Sequence, residues 1–232
     1  MVRAMRTGTP PLRRAAIFDL DGTLVDNMRY HIQAWLAFCA RRGIPATAER
    51  FEREFAGKKN DEIVPVLLGR DLPRDELRAL ADEKESEYRR LYAPHLKLLD
   101  GADALLRRLH EDGVALAIAS AAPPENRRLV LEGLALTRRF DAIIGAEQAL
   151  RGKPFPDLFL AAARAIDVPP HACVAFEDAP LGVEAAKAAG MFAVGITTMA
   201  SGEQLKAAGA DATARDFAHL PADVEARLLP SP

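Results

Sequence analysis

In the stretch IFDLDGTLVD, Ile17 to Asp26, Asp19 and Asp21 stand one residue apart where an apolar run meets a Gly-containing turn. Side chains two apart in extended backbone share a face, so both carboxylates can point into one pocket. Carboxylates held that close repel, and they require a cation, a shared proton or solvent. Asp-Gly between apolar runs is also the strongest short-range hairpin signal. The hairpin loses here, because a long helical pattern follows instead of a second alternating strand. A second acidic pair, Glu177-Asp178 in CVAFEDAP, ends another apolar run in the same manner. If both runs are strands of one parallel sheet, hard oxygen ligands gather at one edge, a set that suits Mg²⁺. The residue types alone leave open a second reading, two unrelated solvated loops.

The elements that would position these acids are legible as short apolar runs: AAIF from Ala15, VALAIA from Val114, AIIGA from Ala142, CVAF from Cys173 and FAVGI from Phe192. Strands apolar on both faces belong to a parallel sheet covered by helices. Helical patterns fill the gaps at Ala102 to Asp112, Pro124 to Leu134, Pro156 to Asp167 and Ala179 to Ala189, with Gly113 and Gly190 as stops. The alternation predicts an α/β fold with a doubly wound parallel sheet.

From Asn27 to about His95 the pattern is helical throughout. Met28, Ile32, Trp35 and Cys39 form one stripe ending at Gly43, and Phe51 and Phe55 a second ending at Gly57. Leu77, Leu80, Lys84, Tyr88 and Leu91 form a third that ends before Pro94, and Pro65 limits the piece between. The division expected is a flexible tail at 1–12, an α/β core at 13–26 and 96–232, and an inserted helical cap domain at 27–95. The cap sits above the carboxyl end of the first strand, the edge where open α/β sheets bind ligands.

The 232 residues allow one large domain or a core with an insertion, and the hydrophobic fraction of 49% is ordinary for a globular chain. A formal net charge of -2 gives no general reason to hold nucleic acid or an anionic membrane. Cys39 and Cys173 are the only cysteines, inside apolar runs and without partners at metal-ligand spacing, so they read as buried hydrophobes in a reducing compartment. No run approaches the roughly 18 apolar residues of a membrane helix. The expectation is a cytoplasmic monomer.

Four segments together resemble the haloacid dehalogenase superfamily: Asp19-Leu20-Asp21-Gly22-Thr23 after the first strand, Ser120 in AIASAAP, Lys153 in GKPFPDLFL, and Glu177-Asp178 in FEDAPLGVEAAKAAG. The insertion resembles the cap of the β-phosphoglucomutase-like subfamily, whose cap begins with a pair like His31 and Trp35. The resemblance implies a Rossmann-like core and an aspartyl-phosphate mechanism, with Asp19 the nucleophile and Asp21 the general acid and base. It implies Mg²⁺ held by Asp19, the Asp21 carbonyl oxygen and Asp178, with Glu177 a direct or outer ligand. Ser120 and Lys153 would hold the phosphoryl oxygens. Thr23, His31, Lys58, Lys59, Asn60, Lys84 and Ala121 are the substrate-binding candidates. Plainer readings stand beside these: His31 and Trp35 as helix core, Lys84 on the solvated edge of its helix, Ser120 in a strand-end turn, Lys153 as a surface lysine.

Metal-free dehalogenases of this superfamily lack the second aspartate and transport ATPases carry Lys there, whereas this chain has Asp21. A mutase must hold a second phosphate, which the subfamily does with a cap Arg and a Ser-Lys-Asn run. Here the matching positions read Asn60 and Ala122-Pro123-Pro124, with Lys58 and Lys59 the obvious substitutes and Asn126 one turn further on. The reading is therefore a Mg²⁺-dependent phosphatase of a small phosphorylated metabolite, a sugar phosphate by resemblance. The alternatives are a phosphosugar mutase, a pyrophosphatase and a non-catalytic binding protein on the same scaffold.

Overall fold

A computed structural model describes residues 13–55 and 59–229. The expected tail at 1–12, together with Gly57 and Lys58, lies outside the described residues. Six strands, β1 (Ala15–Phe18), β2 (Ala115–Ser120), β3 (Ala142–Gly145), β4 (Cys173–Glu177), β5 (Phe192–Ile196) and β6 (Ala212–Ala214), form one sheet in the order β3-β2-β1-β4-β5-β6. Every pairing is parallel. The expected strands are all present, and β6 is an addition at the edge.

Between β1 and β2 run α1 (Met28–Ala40), α2 (Ala48–Glu54), α3 (Asn60–Leu68), α4 (Arg74–Tyr92) and α5 (Ala102–Glu111). The later crossovers carry α6 (Pro124–Gly133), α7 (Asp157–Ala165), α8 (Pro180–Ala188), α9 (Gly202–Ala207) and, at the end, α10 (Ala222–Leu228). Pro65 lies inside α3 instead of limiting it, and Gly69 at φ 65° is the residue that closes that helix. A missing N–H and a ring clash are tolerated there.

The all-apolar strands still alternate in size. Phe18, Leu116, Ile118, Val174, Phe176, Val194 and Ile196 point to one face of the sheet, against α5, α6 and α10. Ala15, Ile17, Ala115, Ala117, Ala119, Ala175 and Ala193 point to the other, against α7, α8 and α9. Small residues let the second helix layer approach closely. On the first face the Phe18 and Phe176 rings stack at 4.8 Å, which ties β1 to β4 beside their functional ends.

Register does the positioning. Phe18 is level with Ile118 on β2 and Phe176 on β4, so the next residue, Asp19, is level with Glu177. The Asp19 N–H bonds the Phe176 carbonyl at 3.0 Å and holds that alignment past the end of the strand. β1 is flanked by strands whose connections leave in opposite directions, which opens a crevice at the carboxyl ends.

Helices α1 to α3 enclose their own apolar cluster of Trp35, Phe38, Cys39, Phe51, Phe55, Ile63, Val64 and Leu67. Their base is joined to the core by aromatic residues, with Tyr30 and Tyr92 rings 5.0 Å apart and both in the sheet-side cluster. Cys39 and Cys173 are buried free thiols, and burial pushes Cys173 up to about 12. No helix among the described residues is long and apolar enough to cross a membrane.

Because the Phe38 ring is fully buried and belongs to the α1–α3 cluster alone, Phe38→Ala should cost about 3–5 kcal/mol locally. Amide exchange should rise across residues 28–68 well before the strands respond. Equal acceleration in β1 and β4 would show that the two clusters unfold as one unit.

Candidate active site

The turn after β1 is one helical turn, with the N–H groups of Leu24 and Val25 both bonding the Leu20 carbonyl. Its fit depends on Gly22, which has φ 81° and no room for a side chain, since a Cβ there would lie 1.9 Å from Asp178 Oδ2. The Gly22 N–H bonds the Val25 carbonyl at 2.8 Å and Asn27 Oδ1 at 3.1 Å. This returns the chain over the strand end and starts α1.

Asp19, Lys153, Glu177 and Asp178 come together from three segments. Lys153 Nζ donates to Asp19 Oδ1 at 2.6 Å and to Glu177 Oε1 as well. Burial pushes the Asp19 carboxyl up to about 7, against the pull of Lys153. Burial also opposes the charge on Lys153, but Asp19 and Glu177 outweigh it and hold that ammonium above the usual lysine range. Lys153 is therefore a partly buried cation paired with two carboxylates and not a surface lysine.

Glu177 is 1% exposed and its oxygens are engaged: Oε1 accepts from Lys153, and Oε2 accepts from the Asp178 and Ala179 N–H groups at 3.0 and 3.1 Å. In this arrangement it orients Lys153 instead of presenting a free oxygen to a metal. Asp178 differs. Its Oδ1 accepts from Thr23 Oγ1 at 3.2 Å, while Oδ2 is buried without a hydrogen-bond partner. Burial, Glu177 and Asp19 push its carboxyl well above the ordinary value. An orphaned carboxylate oxygen among other carboxylates fits a divalent cation. Among the described residues no three His, Cys, Asp or Glu side chains form a ready cage. Two carboxylates and a main-chain carbonyl would hold such an ion with water in the remaining places.

Thr23 is fully buried and spends its hydroxyl on Asp178, so it supports that acid and does not face a substrate. Ser120 closes a strand-end turn, accepting from the Ala122 N–H at 3.1 Å, and exposed Ala121 lies between them. The strand-end turn expected of Ser120 is present, and it is what brings the residue to the sheet edge.

Asp21 is pushed up to about 6 by burial, opposed by a hydrogen bond from Asn27 Nδ2 at 2.6 Å. Asn27 also bonds the Tyr88 hydroxyl at 2.6 Å, which anchors the carboxylate to α4. Above it stands His31, stacked on the Tyr88 ring at 3.7 Å, with Nε2 4.0 Å from Asp21 Oδ2. Lys84 Nζ donates to His31 Nδ1 at 2.8 Å, which leaves the ring proton on Nε2 toward Asp21. Burial and Lys84 push His31 down to about 3, so the ring is neutral.

Of the two readings of Lys84, the solvated helix edge is the one the structure overturns. Lys84 is 2% exposed and bonds Glu85 Oε1 at 2.9 Å, because α4 turns this face toward α1 and the core. Trp35, in contrast, is apolar cluster as its plainer reading held. Asn60 donates to Glu85 Oε1 at 2.8 Å. Exposed Lys59 reaches Gly152, where a Cβ would stand 2.9 Å from its Nζ.

Glu85, Asn27 and Arg89 escaped the sequence reading, and Tyr88 reads there only as a member of its helix stripe. Charged residues on a helix signal solvent, and only the reversed burial of α4 reveals them. Arg127 was missed as well: its guanidinium packs on Gly145, bonds the Ala122 carbonyl at 2.6 Å and pairs with Glu147, bracing the Ser120 loop.

Comparison with known proteins agrees with this geometry. Residues 13–190 match the family model of the haloacid dehalogenase-like hydrolases. The chain is 33% identical over 213 residues to a β-phosphoglucomutase of Bacillus subtilis, covering 89% of this chain and 91% of that one. It is 34% identical over 212 residues to the validoxylamine A 7'-phosphate phosphatase of Streptomyces hygroscopicus subsp. limoneus, covering 89% and 95%. A HAD hydrolase of family IA, variant 3, from Entamoeba histolytica superposes with a TM-score of 0.85 at 26% identity, over 94% of this chain and all of that one.

Gly22→Ala should be a sharp probe of the site. The methyl group meets Asp178 and the positive φ costs a further 1–2 kcal/mol, roughly. Turnover should fall on the order of 10²-fold, as displaced catalytic groups do, in a chain that still melts cooperatively. Unchanged turnover would place Asp178 outside the reaction.

Proposed function

The chain belongs to the haloacid dehalogenase-like hydrolase family and is a phosphoric monoester hydrolase, and on that premise we propose that it is a Mg²⁺-dependent phosphatase of small sugar phosphates. The observation that carries this reading is the convergence of Asp19, Lys153, Glu177 and Asp178 at one sheet edge, with Asp21 two residues on from Asp19.

Asp19 attacks phosphorus in line, and the bond from phosphorus to the leaving oxygen breaks as the aspartyl-phosphate forms. Asp21 gives its proton to the departing alkoxide. Water then attacks the phosphorus, Asp21 takes a proton from it, and Asp19 returns as carboxylate while inorganic phosphate leaves. Lys153 and Ser120 hold the phosphoryl oxygens, and Glu177 keeps Lys153 in place. A divalent cation held by Asp19, the Asp21 carbonyl and Asp178 would supply the charge that lets a carboxylate meet a phosphate dianion, and magnesium matches an all-oxygen set.

The mutase reading has relatives in its favour, but the cap favours hydrolysis. Asn60, where the subfamily's mutases carry an anion-binding arginine, is bonded to the carboxylate of Glu85. Asn126 is also committed, donating to Glu85 Oε2 at 2.7 Å. Each missing charge-assisted hydrogen bond to a second phosphate costs roughly 1.5–3 kcal/mol, so water should win over a sugar phosphate for the intermediate.

Asp19→Asn should fold normally, lose turnover and trap no phosphoenzyme. A mutant at near-natural rates would defeat the mechanism. Chelator should abolish hydrolysis and Mg²⁺ restore it, whereas full activity after exhaustive chelation would point to metal-free chemistry. With β-glucose 1-phosphate and a bisphosphate primer, inorganic phosphate should form faster than glucose 6-phosphate. Accumulation of glucose 6-phosphate with little phosphate release would establish the mutase.

A further inference from the structure

The loop after Ser120 is held by a side chain that the reaction itself does not touch. Ser120 is the last residue of β2 and is level with Gly145, the last residue of β3. Its Oγ accepts from the Ala122 N–H at 3.1 Å. A hydroxyl carries one proton and two lone pairs, so this bond fixes the oxygen and leaves the proton to be given elsewhere. The chain then meets Pro123 and Pro124, which have no N–H, and the amides of Asn126 and Arg127 both turn back to the Pro123 carbonyl, at 3.0 and 3.1 Å. The Ala122 carbonyl, passed over by these amides, takes its donor from the Arg127 side chain, with Nη1 at 2.6 Å. Ala122 is thus gripped at both ends, by Ser120 and by Arg127.

The guanidinium is itself tightly seated. Arg127 is 8% exposed and lies directly on the Gly145 backbone, where a Cβ would stand 2.2 Å from Nη1 and 2.3 Å from Cζ. Glu147, half exposed in the turn after β3, closes the fork by accepting from Nη1 on Oε2 at 3.1 Å and from Nη2 on Oε1. A planar fork of donors serves a main-chain carbonyl and a carboxylate at once, which a compact ammonium does not reproduce.

Folding stability is a weak account of this group. An ion pair with one half-exposed partner contributes little, and an apolar side chain would cover Gly145 without giving up a hydration shell. What an apolar side chain does not supply is a donor for the Ala122 carbonyl.

We propose that Arg127, seated on Gly145 and held by Glu147, is a positioning residue for Ser120: it fixes the Ala122 peptide so that the Ser120 hydroxyl is aimed at the phosphoryl oxygens. This inference rests on the phosphatase reading and deepens it. Arg127 acts through Ser120 on the phosphoryl group alone, which is common to every ester and to released phosphate. Its loss therefore weakens all of them in one proportion and leaves the choice of leaving group unaltered.

The test is kcat/KM for fructose 1-phosphate, glucose 6-phosphate and phenyl phosphate, together with the binding of inorganic phosphate by calorimetry, all with Mg²⁺. Arg127→Met should lower kcat/KM about tenfold for the three esters alike and weaken phosphate binding by a similar factor. In a Ser120→Ala background the same substitution should cost at most about twofold, because residues that act as a unit are not additive. Gly145→Ala carries the test if melting shows Arg127→Met unfolded. Gly145 has φ −108°, which any residue adopts, and the three atoms nearest an added methyl all belong to the Arg127 guanidinium, so the variant displaces that group without removing it. It should shift both readouts about threefold or more. Rates that fall while phosphate binding holds, losses that differ among the esters, or a full tenfold cost in the Ser120→Ala background each overturn the proposal. A natural chain that hydrolyses none of the three esters overturns the phosphatase reading, and this proposal with it.

Discussion

Buried like charge is the constraint around which this molecule is arranged. Asp19, Glu177 and Asp178 leave two adjacent strands within one residue of each other in register, and all three are almost wholly out of water. Such a group is unstable unless each negative charge finds a proton or a cation. Lys153 answers for Asp19 and Glu177, and the amides of Asp178 and Ala179, just ahead of α8, hold the far oxygen of Glu177. Asp178 keeps one oxygen unanswered. The acid with an unpartnered oxygen is the one with a reason to bind something from outside.

That arrangement needs strands that cannot slip. A one-residue shift of β4 against β1 would exchange the faces of every side chain and move Glu177 away from Asp19. The sheet resists this because its two faces differ: stacked phenylalanines on one, alanines under close helices on the other. Exchanging them would drive aromatic rings into the tight helix layer and leave voids opposite, and either error is costly in a close-packed interior. The packing of the core thus supplies the alignment that the chemistry uses.

The same contrast explains what was legible in the sequence. β1 to β5 could be read because strands buried on both faces are continuous apolar runs, and the acids at their ends follow from where the runs stop. β6 is three residues at the sheet edge, Ala212–Ala214, too short and too small to stand out. Pro65 misled because its helix forms around it. Lys84 could be read only as an open choice between a site residue and a wet helix edge, for a deeper reason. A charge on an amphipathic helix ordinarily marks the wet face, and α4 reverses this by burying Lys84 and Glu85 in its inward stripe beside Tyr88. In the sequence Thr23 reads as a substrate contact and Glu177 as a metal ligand, and only their hydrogen-bond partners show that they engage Asp178 and Lys153.

These two kinds of buried charge divide the labour of the site. The charges below, at the sheet edge, are fixed by strands whose register no ligand can alter, as suits a phosphoryl group that is the same in every substrate. Those above are carried on α3 and α4, where Asn60 of one helix bonds Glu85 of the other. Asn27 and His31 are the links between the two levels: Asn27 ties Asp21 to Tyr88 of α4, and His31 stands between Asp21 and the Lys84–Glu85 pair. In the mechanism proposed, the proton that Asp21 gives to the leaving group is therefore the one part of the chemistry exposed to the cap. A leaving group that fits the upper cluster and one that does not can differ in how well that proton is delivered, even when the phosphoryl group is held identically.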